Sequence, residues 1–214
     1  MRNATPRLLA LGALALFSAA MWTACGGADA PTTLQCVSEQ CDLACTTPDC
    51  TASCTKGADC NLDCTGAACD LTCGSDSTCA ADCRVDGGCN TSCEGKSDCS
   101  VDCSQSGDCD LDCAGGSTCD IACKENCGGG CSGTSTCSTT CEQNCDIGCT
   151  GTGDCALTCK TGCFTCCKGS GSCVLNCTEA EVTECPGGNG SESILVCGRE
   201  CPDPSECQYG AETP

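Results

Sequence analysis

The chain is 214 residues long and 37 of them are cysteine; 29 Asp and Glu against 9 Lys and Arg leave a net charge of −20, and histidine is absent. An acid surplus of that size repels phosphate, which argues against nucleic acid or anionic lipid as a partner. Without histidine there is no Ser/His/Asp or Cys/His nucleophile and no imidazole metal ligand, and two Phe, one Trp and one Tyr cannot build an ordinary globular core or line a sugar cleft. A non-catalytic protein is the expectation.

Residues 1–24 read as a signal peptide. Arg2 and Arg7 give a positive start, and the apolar run from Leu8 to Ala20 is too short to span a bilayer as a helix. Thr23-Ala24-Cys25-Gly26 resembles the bacterial lipobox, in which two small residues precede a cysteine that is lipidated and becomes residue one; Trp22 stands where that motif usually carries Leu. Parity supports lipidation of Cys25 independently, because setting it aside leaves an even pool of cysteines that can pair completely. Residues 25–31 then form a lipidated tether, and the implied partner is a membrane reached through the N-terminal lipid. Export places the remaining cysteines in an oxidising compartment, where disulfides come before metal ligation.

The segment 32–177 is a tandem repeat of C-x3-C units, whose first cysteines are Cys41, Cys50, Cys60, Cys69, Cys79, Cys89, Cys99, Cys109, Cys119, Cys127, Cys137, Cys145, Cys155, Cys163 and Cys173. Taken two at a time the spacing is 19, then 20, then 18 residues, so the repeat is two units long. Within a unit, cysteine at i and i+4 brackets an aliphatic residue at i+2, among them Leu43, Ala52, Leu62, Leu71, Val101, Leu111, Ile121 and Leu157. That period belongs to a strand with one face buried and one wet. Residues 32–36, with Thr32 in the first cysteine's place, read as a starter strand. Loops such as AGGST (114–118) and KEN (124–126) are turns built on Gly or Asn and are too short for helices. The fold class predicted is all-β: a narrow disulfide-stapled parallel β-solenoid, about 18–20 residues per coil with two short strands per coil, and seven to eight coils stacked into a rod roughly 35 Å long.

Repeated C-[DNS]-[LVI]-x-C-x-G stretches, as in CNLDCTG (60–66), CDLDCAG (109–115) and CDIGCTG (145–151), resemble those of exported cysteine-rich tandem-repeat lipoproteins of myxobacteria and related deltaproteobacteria. A weaker similarity is to pentapeptide-repeat solenoids: CDLDC and CDLTC match their pentad with Cys in the Ala slot, but intervening pentads such as AGGST lack the central Leu.

In an extended strand the two cysteines of one unit lie about 13 Å apart, beyond the Cα separation of about 4.4–6.8 Å that a disulfide accepts. The last cysteine of one unit is therefore predicted to join the first of the next, from Cys36 with Cys41 through to Cys167 with Cys173. Cys166, Cys177, Cys185, Cys197, Cys201 and Cys207 are left as an even set. The competing arrangement is a helical turn with bonds inside each unit, such as Cys60 with Cys64.

Stacking brings Asp63, Asp82 and Asp102 into an outward column. This is the one candidate metal site, for weakly held calcium without the GGxGxD loop of RTX-type rolls. Repulsion along the column would raise and couple its titration. No other cofactor is expected. Two further readings are disfavoured: ice binding, because the outward Thr72, Thr140 and Thr158 are scattered, and a metallothionein-like thiolate cluster, because C-x-C spacing is missing. Residues 178–214, with four cysteines and several prolines, read as a cap on the last coil. The expected function is a cell-envelope lipoprotein, a rigid rod acting as spacer, coat or adhesive element, with divalent-cation binding as the alternative.

Overall fold

Each C-x3-C unit is a strand in the computed structural model, which describes residues 32–66, 68–74, 76–84, 88–186 and 192–207; the leader, Cys25 and the tether lie outside the described residues. In chain order the strands are β1 (Thr33–Val37), β2 (Gln40–Cys45), β3 (Cys50–Thr55), β4 (Asp59–Cys64), β5 (Cys69–Cys73), β6 (Thr78–Cys83), β7 (Cys89–Cys93), β8 (Asp98–Gly107) and β9 (Asp110–Cys113). They continue as β10 (Thr118–Glu125), β11 (Gly128–Cys131), β12 (Thr136–Gln143), β13 (Asp146–Gly151), β14 (Asp154–Thr161), β15 (Cys163–Gly169), β16 (Cys173–Cys177), β17 (Val182–Glu184) and β18 (Glu192–Cys197).

Odd strands β1 to β15 form one parallel sheet and even strands β2 to β16 the other, so the chain winds as a two-sided β-solenoid of about eight coils. The starter strand is present as β1, in register with β3. Registers are set by cysteine on cysteine and aliphatic on aliphatic: Cys60, Leu62 and Cys64 lie on Cys79, Ala81 and Cys83, and Cys119, Ile121 and Cys123 on Cys99, Val101 and Cys103. A one-residue slip would turn every buried side chain outward, so the period-two pattern specifies the register strongly.

The core between the sheets is a double file of half-cystines flanking the aliphatic row, with Leu62, Leu71, Val101, Leu111, Ile121 and Leu157 all buried. All 36 cysteines from Cys36 onward are bonded. Every predicted turn-closing pair is found, from Cys36 with Cys41 to Cys167 with Cys173. Cys60 joins Cys54 and not Cys64, which eliminates the helical alternative. Each bond closes a loop worth about 2 kcal/mol of denatured-state entropy, which substitutes for apolar bulk that this composition lacks.

The disulfides line both edges of the rod, and the two edges differ. Where odd strands turn into even ones, the bonded cysteines are 6 residues apart in every coil after the first. Where even strands turn into odd ones, the separation is 5, then 6, then 4. The drift from 19 to 20 to 18 residues per coil is therefore confined to this second edge. Its three-residue turns depend on a left-handed last residue, Asn126 (φ 57°), Asn144 (φ 56°) or Gly162 (φ 77°), residues that tolerate that region. At the first edge the fourth turn residue is a buried serine in successive coils, Ser77, Ser97, Ser117 and Ser135. Ser77 and Ser117 donate back to the carbonyls of Gly74 (2.6 Å) and Ala114 (2.7 Å), and Ser97 donates to Cys73 O at 3.1 Å.

At the C-terminal end β18 runs antiparallel to β15 and is itself paired with β17, so the odd sheet ends in a reversed hairpin. The six remaining cysteines tie this segment down as Cys166–Cys207, Cys177–Cys197 and Cys185–Cys201. Phe164 and Cys166, which face outward from β15, are covered by Ile194, Val196 and the Cys207 segment in a second small apolar cluster, and the Arg199 guanidinium lies 4.7 Å from the Phe164 ring centre.

Candidate functional site

The outward column predicted on the even sheet is assembled by three consecutive strands: Asp63 of β4 lies beside Asp82 of β6, and Asp82 beside Asp102 of β8. Ala44 and Ala122 occupy the same position on either side, so the column is three carboxylates long. It forms part of a shallow groove that also takes in Asn61, Ala80 and Ser100.

The column contains its own cation. Arg84, two residues beyond Asp82, curls back so that Nε donates to Asp82 Oδ2 at 2.9 Å, with an Nη2 contact to the same oxygen. The guanidinium is held more firmly protonated by that hydrogen bond and charge, with Asp63 and Asp102 adding to it. Expectation and structure part at Asp102: its carboxyl is lowered below the ordinary value, because it accepts hydrogen bonds from Ser104, including the backbone N–H at 2.9 Å, and lies in the field of Arg84. Repulsion does not dominate there, since fixed donors and a counter-ion outweigh the neighbouring carboxylates.

Among the described residues the outward threonines form no extended array. Thr140 stacks on Thr158, but Ala122 and Asn176 flank them, and Thr72 lies on the other sheet between Ser53 and Ser92.

A second acidic group was not read from the sequence. On the odd sheet, Gly128 and Gly130 of β11 leave two outward positions without side chains, and Oδ1 of Asp110 and Oδ1 of Asp146 both lie 3.5 Å from where a Cβ on Gly128 would sit. The Asp146 carboxyl is raised by burial first and by Asp110 second, with Arg199 opposing; Asp112 is raised by burial and by Asp110. The signal for this group was the GGG run (128–130), whose outward members, Gly128 and Gly130, leave space for the flanking coils' carboxylates.

Sulfur is the third candidate. Stacked disulfides bring Sγ atoms of successive coils together: Cys73, Cys79 and Cys99 lie within 4.8 Å of one another, as do Cys93, Cys99 and Cys119, and Cys113, Cys119 and Cys137. Among the described residues every cysteine sulfur is bonded in the oxidised chain, so none of these is a thiolate that could ligate a soft metal.

The chain matches no family model, and no curated protein or solved structure matches it either. Extensive disulfide bonding is consistent with an oxidising, exported environment.

Proposed function

We propose that the protein is a non-catalytic cell-envelope lipoprotein, anchored through Cys25 after removal of residues 1–24, whose solenoid serves as a rigid spacer, coat or adhesive element. The observation that carries this reading is the unbroken run of turn-closing disulfides along both edges. A rod cross-linked in every coil resists bending and proteolysis while presenting two flat polar faces. Its acidic surface keeps such rods apart from one another.

Intact mass of the protein extracted from membranes tests the anchor. A diacylated or triacylated N-terminus at Cys25 with no free thiol supports it, and a mature chain beginning at Met21 with one free thiol overturns it. Cys25→Ser is expected to move the protein from the membrane fraction to the soluble exported fraction.

A second reading, weak calcium binding by Asp63, Asp82 and Asp102, is favoured by their shared register and opposed by the position of Arg84. Thermal melting in chelator and in millimolar calcium separates the two readings, since a ligand that binds only the native state must raise its stability.

A further inference from the structure

The disulfides of the first edge from Cys73–Cys79 to Cys131–Cys137 are more than parallel staples, because each of these four lies within reach of its neighbour. In the triad Cys73, Cys79 and Cys99, the sulfur of Cys99 is within 4.8 Å of both atoms of the neighbouring Cys73–Cys79 bond. Cys119 stands in the same relation to Cys93–Cys99, and Cys137 to Cys113–Cys119. The even-strand sulfurs thus form a column Cys79, Cys99, Cys119, Cys137, in-register on adjacent strands. Neighbouring strands are about 4.8 Å apart, inside the Cα range a disulfide accepts, so a bond between coils needs little backbone movement.

We propose that this column is a thiol–disulfide exchange relay that carries a pair of reducing equivalents along the rod without unfolding it. A dithiol reductant opens the Cys167–Cys173 bond at the C-terminal end and leaves as its own disulfide; once that pair of reducing equivalents has been handed along to Cys93–Cys99, both of these cysteines are thiols. Cys99 loses its proton to water and attacks Sγ of Cys79; a Cys79–Cys99 bond forms, the Cys73–Cys79 bond breaks, and Cys73 departs as thiolate. Cys93, as thiolate, then attacks Cys99 of the new bond, re-forming Cys93–Cys99 and expelling Cys79. The dithiol now sits at Cys73 and Cys79, one coil along, with electrons and sulfur bonds conserved. The same two exchanges move it from Cys113 and Cys119 to Cys93 and Cys99, and from Cys131 and Cys137 to Cys113 and Cys119.

Two features make the relay necessary for chemistry inside the rod. The eight cysteines of these four rungs are between 0% and 6% exposed, so a reductant does not reach them directly. At the C-terminal end the backbone column continues through Cys155 to the partly exposed Cys173, where a dithiol can make contact. Successive rungs have nearly the same surroundings, so transfer between them is close to thermoneutral, and its rate is set by the thiolate fraction and access.

The test places one thiol inside the folded rod. Cys113→Ser leaves Cys119 unpaired between two intact rungs. After incubation at pH 8, acid quench, denaturation, alkylation and peptide mapping, the relay expects the label to be shared about equally among Cys119, Cys93 and Cys131. New Cys99–Cys119 and Cys119–Cys137 bonds should accompany it. Label confined to Cys119 overturns the relay, as does label spread to cysteines of the opposite edge in the pattern of a urea-scrambled control. Cys93→Ser provides the second arm: its thiol at Cys99 should be shared with Cys73 and Cys113, and the same two adverse patterns count against the proposal there.

Discussion

Arg84 Nε donates to Asp82 Oδ2 at 2.9 Å, and so places a guanidinium beside the middle member of a three-carboxylate column. Replacing it by glutamine removes the counter-ion and leaves Asp63, Asp82 and Asp102 in register without that positive charge beside them. Arg84→Gln is expected to lower the melting temperature in chelator and to make it rise with millimolar calcium, by more than any rise in the parent. An equal calcium response in the two proteins would mean that the column is not where the ion acts. Asp82→Asn, which would relieve a bare column, is expected to destabilise this one, because it removes the negative charge that holds Arg84.

The repeat was legible because its signals are local. Cys60, Leu62 and Cys64 state a strand, its buried face and its register within five residues, and the turn-closing bonds follow from strand length alone. What was not legible depends on side chains outside the repeat or on distant segments. Arg84 lies just past the end of β6, and nothing in its neighbourhood in the sequence says that it folds back over Asp82. The pairing of Cys166 with Cys207 spans 41 residues, and the antiparallel return of β18 onto β15 has no period to announce it. The Asp110 and Asp146 pair spans two coils and is visible only once the glycines between them are seen as a strand.

The two acidic groups have opposite pH dependence. At Asp102 the folded carboxyl is below its ordinary value, so its contribution is present above the ordinary carboxylate range and is lost as pH falls through the folded value. At Asp112 and Asp146 the folded carboxyls are raised. The folded state then holds its protons to higher pH than the unfolded chain, and stability is lost as pH rises through that window. Asp146→Asn is expected to stabilise the rod at pH 7 and to lose that advantage near pH 3, where the parent is protonated as well. Melting temperature against pH for the two proteins measures this, and parallel curves would remove Asp146 as the cause.

Gly129 occupies the inward position of β11 that other strands fill with an aliphatic residue or threonine. Its φ is 150°, and a Cβ there would sit 2.2 Å from the carbonyl oxygen of Leu111 on β9. The side chain is excluded both by backbone conformation and by the neighbouring coil. Gly129→Ala is expected to cost more than about 2 kcal/mol in reversible denaturation with the disulfides intact, whereas Gly74→Ala, with nothing within 4 Å of the added atom, should be close to neutral.

Thr91 lies between Leu71 on β5 and Leu111 on β9, in the aliphatic row of the odd sheet. It is 3% exposed and its Oγ1 has no hydrogen-bond partner. Thr165 holds the equivalent inward position on β15, but its hydroxyl donates to Ile147 O at 3.0 Å. The two threonines should therefore respond oppositely to an isosteric apolar replacement. Thr91→Val removes a desolvated, unpaired hydroxyl and is expected to stabilise by about 1 kcal/mol, while Thr165→Val gives up a made bond and is expected to destabilise by about the same amount. Denaturant midpoints of the oxidised proteins decide it, and a destabilised Thr91→Val would show that the hydroxyl at this position is paired in solution.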